Sequence, residues 1–348
     1  MPGANARQPA APVYADRLDL GVYQDAEGNL CPVRTCEDVG RRQAHTLANM
    51  QRVMGPLPGP ERRVPLDIRW GPRERAGGCT RQRLSFAAEP GDRVPAYLCL
   101  PAEAGDWPPE RRRPAMLCLH QTTACGKAEP AGLAGLPNLH YACELAARGY
   151  VTLAPDYPGY GEYPVDPYAL GYASATMKGI WNHARALDLL QALPQVDSGR
   201  LGCIGHSLGG HNALFLAAFD GRVRVTVTSC GFNSFAWYCQ GDLTGWSHRG
   251  YMPRIAAEYG ARAERLPFDF AEVLGAIAPR ALFVNAPLHD DNFAIDGVQA
   301  CLRAVAPLYR LCGDPADLGA AHPCCGHDFP PAVREAAYAF VDRVLRAP

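Results

Sequence analysis

The sequence predicts an α/β protein: a doubly wound, mostly parallel sheet with a partly helical extension before it and an aromatic-rich insertion within it. Three observations carry this reading. From residue 114 onward, short apolar runs alternate with amphipathic segments, the order that gives parallel strands joined by helices. The run Pro114–Leu119 is apolar throughout, as a strand covered on both faces must be. The stretch from Arg200 to Phe219 reads as a buried strand, a tight glycine-rich turn and an apolar helix, with Ser207 at the apex.

A chain of 348 residues can bury a large core, and one elaborated α/β domain fits that length as well as two domains do. We divide it into an N-terminal extension, residues 1–62, and an α/β domain, residues 63–348, with a cap-like insertion at about 230–270. The net charge of −1 gives no electrostatic case for nucleic acid or an anionic membrane surface. No apolar run approaches the ~20 residues of a membrane span. Met1 to Pro12 is Pro/Ala-rich without an apolar leader core, so the expected location is cytoplasmic.

The 14 cysteines show no framework spacing, and Cys99, Cys118 and Cys203 sit inside apolar strands. Reduced thiols are therefore expected, with Cys31 and Cys36 able to pair only in an exported protein. The segment His322-Pro-Cys-Cys-Gly-His327 lacks the usual Cys-x-x-Cys spacing of a zinc site. Neither a metal nor a cofactor is expected.

Taken in order, Thr35 to Met54 has helical character that Pro56 to Pro60 ends. The extension is expected to pack against the core or a partner subunit. Arg81–Ala87 and Val94–Leu100 are strands around the turn at Glu89-Pro-Gly-Asp92. Pro114–Leu119 is a buried strand, Leu139–Arg148 a helix closed by Gly149, and Tyr150–Ala154 the next strand. A long amphipathic helix spans Ala173–Leu193. After the strand–turn–helix unit come a strand at Arg222–Thr228 and the insertion, rich in Phe, Tyr and Trp. Strand Arg280–Asn285, helix Ala294–Leu311, a short strand near Asp317–Ala321 and helix Ala332–Arg346 complete the pattern. An insertion at that point lies over the carboxyl ends of the strands, where open α/β sheets bind ligands. Trp237, Tyr238 and Trp246 are accordingly candidates for a substrate pocket wall, with a plain packing layer the competing reading.

The turn Gly205-His-Ser-Leu-Gly209 needs small residues on either side of the serine so that strand and helix can pass closely. It holds the Ser207 hydroxyl at a helix N-terminus, where developing negative charge is favoured. This is the residue pattern of a nucleophile elbow. From here the chain resembles the α/β-hydrolase superfamily, over roughly residues 80–346. A serine hydroxyl needs a histidine base and a carboxylate to orient it. In this fold they follow in the order serine, acid, histidine. His327, in the loop before the final helix, matches the base position, with His322 its rival. Asp290 and Asp291 both follow the strand ending at Asn285, and the resemblance favours Asp290. Asp269 and Glu272 precede that strand, and Asp156 reads as a loop brace. The oxyanion hole is assigned to the backbone amides of Leu208 and Gln121, with Thr122 the alternative to Gln121. His206 and His211 read as structural.

The stretches His120-Gln-Thr-Thr123, Arg148–Tyr157, Gly205–His211, Pro267–Phe270 and Ala278-Pro-Arg280 resemble the dienelactone-hydrolase and acetyl-xylan-esterase-like branch. That resemblance implies a serine esterase acting on short acyl or acetyl esters, small-molecule or carbohydrate, through an acyl-enzyme. The chain departs from dienelactone hydrolases in having serine, not cysteine, as nucleophile. It also carries His120-Gln121 where His-Gly is common, and lacks the Gly-Cys-Ser-type elbow of glucuronoyl esterases. An amide hydrolase of the prolyl-peptidase type is the alternative, although the N-terminal part is too short for a propeller. A non-catalytic binding protein is a third reading, set against it by three filled triad positions. A homo-oligomer is left open.

Overall fold

The computed structural model describes residues 11–102 and 112–346. A hairpin of β1 (Val22–Gln24) and β2 (Leu30–Pro32) leads into α1 (Cys36–Met54). Thr35 starts that helix with a capping box: its side chain accepts from the Asp38 amide while Asp38 accepts from the Thr35 amide. Gly55, at φ 92, ends it.

β3 (Arg69–Ala76), β4 (Cys79–Glu89) and β5 (Asp92–Pro101) form an antiparallel meander. Then follow β6 (Arg113–Leu119), α2 (Tyr141–Ala147), β7 (Val151–Pro155), α3 (Ala175–Ala192), β8 (Val196–His206), α4 (Leu208–Phe219) and β9 (Val223–Ser229). After the insertion, with its short α5 (Arg254–Ala257), come α6 (Phe270–Ile277), β10 (Ala281–Asn285), α7 (Ile295–Cys312), β11 (Leu318–Ala321) and α8 (Pro331–Leu345).

The nine-stranded sheet runs β11-β10-β9-β8-β6-β7-β5-β4-β3. β11 through β7 are parallel neighbours, and β5 joins β7 antiparallel. The chain leaves β6 to one side for β7 and returns to the other side for β8. The crevice for ligands in such a sheet lies at the carboxyl ends where winding reverses, here between β6 and β8. That places Leu119 and His206 at its floor. α4 is buried on nearly every side, which its uniformly apolar sequence requires.

The extension packs on the α/β core. The Arg42 guanidinium lies 2.7 Å from Glu272 and 3.4 Å over the Tyr14 ring, all buried against α6. Here the expectation of reduced thiols is corrected: Cys36, at the start of α1, is disulfide-bonded to Cys312, the last residue of α7, with Cα atoms 5.4 Å apart. The alternative Cys31–Cys36 pair does not form. A bond spanning 276 residues leaves no trace in local spacing, which is why the count alone misled. β1, β2 and β3 were also not anticipated. The first two are three residues each, and β3, Arg-Trp-Gly-Pro-Arg-Glu-Arg-Ala, is an arginine-rich edge strand without apolar alternation.

Candidate active site

Ser207 follows the last residue of β8 and precedes the first of α4, with φ 53 and ψ −117. A non-glycine residue in that region is strained, and the surroundings must hold it there. Its amide donates to Ser229 O (2.8 Å), and a carbon added at Gly209 or Gly205 would collide with backbone. At Gly209 the obstacle is the Leu119 carbonyl, so α4 starts pressed onto the end of β6. The Leu208 amide is in the first turn of α4, where N–H groups lack helical partners.

Across that contact, His120 closes β6. Its Nδ1 donates to Gln121 O (2.6 Å) and its Nε2 accepts from the Tyr157 amide (2.9 Å). Burial depresses its pKa, consistent with a neutral ring bonded on both sides. The Gln121–Thr122 peptide is thereby oriented, and the Gln121 side chain donates to Glu129 (3.1 Å). Asp156 is a brace: it accepts from the Lys127 amide (2.8 Å) and ammonium (2.7 Å) and from the Glu162 amide (3.0 Å).

The loops after β10 and β11 are zipped together. Ala286 N bonds Ala321 O, Leu288 N bonds Pro323 O, and His289 N bonds Cys325 O, extending the strand pairing. The zip brings Asp290 to His327, whose Nδ1 donates to both carboxylate oxygens at 3.0 and 2.9 Å. Asp290 also accepts from the amides of Asn292 and Phe293. Burial pushes its pKa up, but the His327 bond and charge with the two amides outweigh it, so the carboxyl is held below the usual range. The Asp290 side chain is 1% exposed and that of His327 29%, so the acid is sealed while the imidazole reaches solvent. Asp291 is exposed, and His322 Nδ1 is bonded to Ala286 O instead.

His206, one residue before Ser207, lies edge-on to His327 with ring centroids 4.8 Å apart. Burial first, then the neighbouring His327, pull its pKa down to about 3, so it stays neutral. Its Nδ1 bonds Ser229 Oγ (2.9 Å). Asn285 Nδ2 donates to that same oxygen (2.8 Å) and to Asp328 O (2.9 Å), beside His327. Asn138 donates to the Asp328 carboxylate (2.8 Å). Sequence reasoning missed Ser229 and Asn285. The available signal was a polar residue closing each of two apolar strands next to the elbow.

The insertion divides. Phe232, Phe235, Phe268 and Phe270 are core residues. Trp246 is only 4% exposed and packs on His211, Tyr251 and Phe293. Tyr238 is half-buried against Trp246 and Phe293, and Phe293 reaches the His327 ring at 6.0 Å. Trp237 is 41% exposed, at the first turn of α7 beside Gly297. Of the three pocket candidates, Tyr238 and Trp246 thus adjoin the site through Phe293, while Trp237 stands on the surface. Tyr251 bonds Thr122 Oγ1 (3.2 Å), linking insertion to the loop after β6.

With this geometry in view, known proteins supply a context. A family model described as fungal glucuronyl esterase matches residues 168–313, which include Ser207 and Asp290. A putative hydrolase of Bacillus subtilis is 25% identical over 266 residues, 73% of this chain and 84% of the relative. The 4-O-methyl-glucuronoyl methylesterase of Hypocrea jecorina is 26% identical over 54% of this chain, a match spanning 44% of that protein. In fold, a glucuronoyl esterase from Solibacter usitatus superposes with a TM-score of 0.71 at 20% identity, covering 95% of this chain and 98% of the other. The sheet order, the strained serine between β8 and α4 and these likenesses agree: the chain is an esterase-like α/β-hydrolase.

Proposed function

We propose that the chain hydrolyses carboxylic esters through a serine acyl-enzyme, with esters carried on carbohydrate as its substrate class. The observation that carries the reading is a His327 whose Nδ1 is tied to sealed Asp290 and whose ring packs edge-on against His206, the residue before Ser207 with its φ of 53. The Ser207 hydroxyl attacks the acyl carbonyl and its proton passes to His327 Nε2. The amides of Leu208 and Gln121 hold the resulting oxyanion. His327 returns the proton to the leaving alkoxide. Water, deprotonated by His327, then attacks the acyl carbon and releases the acid and Ser207.

The carbohydrate half of the proposal is supported by the glucuronyl esterase match over residues 168–313. It is supported also by the exposed Trp237 and half-buried Tyr238, since apolar faces of sugar rings stack on such side chains.

The test is turnover of p-nitrophenyl acetate, butyrate and octanoate, of a glucuronic acid methyl ester and of acetylated xylan, by wild type and Ser207→Ala in EDTA. We expect the sugar esters and short acyl esters to be cleaved, with a loss of about 10⁴-fold or more in the variant. Equal turnover by both proteins would remove Ser207 from the mechanism. Preference for octanoate over every sugar ester would replace carbohydrate by lipid.

A further inference from the structure

Around the catalytic histidine stand two donors, His206 and Cys230, that the esterase mechanism does not use. His206 closes β8, Cys230 follows β9, and His327 lies in the loop after β11. One ligand-capable atom from each lies within 4.8 Å of the others. Cys230 is held at φ 47 by its amide bond to Asn285 O, and its sulfur lies 3.5 Å from Asp328 O, on the His327 loop. Ser229 Oγ engages His206 Nδ1, which leaves Nε2 as that ring's ligand atom. The Asp290 carboxylate accepts from His327 Nδ1 and lies outside this set, so it fixes the ring from behind.

Two imidazoles and a thiol are donor types zinc takes, with water able to fill a fourth position, and softer cations such as cadmium share the preference for sulfur. Zinc bonds of about 2.0–2.1 Å to nitrogen and 2.3 Å to sulfur place tetrahedral ligand atoms about 3.3–3.6 Å apart. The set therefore needs only a modest contraction. His327, the one member of the three that reaches solvent, supplies both the movement and the route of entry.

We propose that His206, Cys230 and His327 form an inhibitory zinc site. Binding exchanges water on the aqua ion for the two ring nitrogens and the sulfur, and the Cys230 thiol proton leaves to solvent. An imidazole nitrogen engaged by zinc cannot take the Ser207 proton, so the ion stops the reaction rather than assisting it. The inhibitory consequence rests on the esterase reading above; the binding site itself does not.

The experiment pairs equilibrium zinc binding and cadmium–thiolate ultraviolet absorption with p-nitrophenyl acetate turnover. It uses the full chain, Cys230→Ala, and the control Cys324→Ala. The control matters because Cys324 Sγ lies 3.4 Å from His289 Nε2, an exposed pair near the same loop. Wild type should bind one zinc, lose turnover and regain it with EDTA. Cys230→Ala should keep turnover, lose the cadmium band and need at least about tenfold more zinc for half-inhibition. Cys324→Ala should behave as wild type. Should Cys230→Ala fail to fold, Cys230→Ser, which keeps the volume and a polar atom, gives the same readings. Binding and inhibition unchanged in Cys230→Ala, or lost instead in Cys324→Ala, would overturn the site. If no ester is turned over at all, the cadmium band in wild type and its loss in Cys230→Ala would still sustain it, and no band would end it.

Discussion

His327 Nδ1 lies 2.9 Å from Asp290 Oδ2, and the next residue, Asp291, is exposed and makes no such bond to the ring. Adjacent residues in an irregular loop point differently, so one aspartate can serve as the orienting acid. Asp290→Asn keeps the shape but favours the wrong histidine tautomer. We expect kcat on p-nitrophenyl acetate to fall about 10³- to 10⁴-fold with KM little changed. Asp291→Asn should stay within twofold of wild type. Equal losses in the two variants would remove Asp290 from the site.

Asn285 ties the ends of β9 and β10 to the histidine loop through Ser229 Oγ and Asp328 O. It touches no reacting atom, so its role is to position. A small displacement of His327 is costly, since about 1 Å of misplacement takes roughly 10²-fold from the rate. Asn285→Ala should lower kcat about 10- to 100-fold and leave KM near wild type. A rise in KM at constant kcat would point to substrate binding instead.

The contrast between Asp290 and Asn285 shows what the sequence made legible. Ser207, His327 and the candidate acids were accessible because chain order and strand–turn–helix pattern constrain them locally. The parallel strands were accessible for a similar reason: most carry a short apolar run, such as Pro114–Leu119 in β6 and Leu201–Ile204 in β8. Asn285, Ser229 and Cys230 belong to no pattern along the chain. They matter only because β8, β9 and β10 are sheet neighbours, a relation fixed by packing. The preference for Asp290 over Asp291 rested on the resemblance alone, since the geometry of the choice depends on the zip between Leu288 and Pro323 and between His289 and Cys325. Trp237 and Trp246 read alike in sequence, yet one is exposed and one buried.

That difference has separable consequences. Trp246→Ala would empty a packed site between His211, Phe235 and Phe293 and should cost about 3–5 kcal/mol of stability. Trp237→Ala should shift stability by no more than about 0.5 kcal/mol. Its effect should appear as a several-fold higher KM for acetylated xylan than for p-nitrophenyl acetate. Chemical denaturation and the two assays together check this. A Trp237→Ala variant with unchanged KM on both substrates would place no sugar on that ring.

Cys36 and Cys312 join the first turn of α1 to the last of α7. The bond closes a long loop and so restricts the unfolded chain far more than the folded one. Its removal by Cys36→Ser should cost about 3–5 kcal/mol. Peptide mapping without reductant should recover the two cysteines on one linked peptide. A melting temperature insensitive to reductant would show that the extension holds to the core without it.

Three histidines, His183, His206 and His211, are buried so completely that desolvation pulls each down to about 3 from an ordinary 6.5. The folded protein keeps them neutral throughout that interval, whereas the unfolded chain protonates them below its own value. Unfolding then takes up as many as three protons at these rings, with lowered His120 adding to them and the raised Asp269 and Glu272 carboxyls opposing them, and the histidines make stability fall as pH falls. Each histidine contributes about 1.4 kcal/mol per pH unit within the window and nothing above it. Depressed carboxylates such as Asp290 act in the same direction, but only below the unfolded aspartate range of about 3.9. The interval from pH 5 to 6.5 therefore sets the histidines apart from these depressed carboxylates. Calorimetry at fixed ionic strength should give a melting temperature flat above pH 7 and steeply lower by pH 5. Proton uptake on unfolding, read from buffers of different ionisation enthalpy, should be net positive and grow from pH 6.5 toward pH 5. No uptake there would mean that these rings already carry protons in the folded chain.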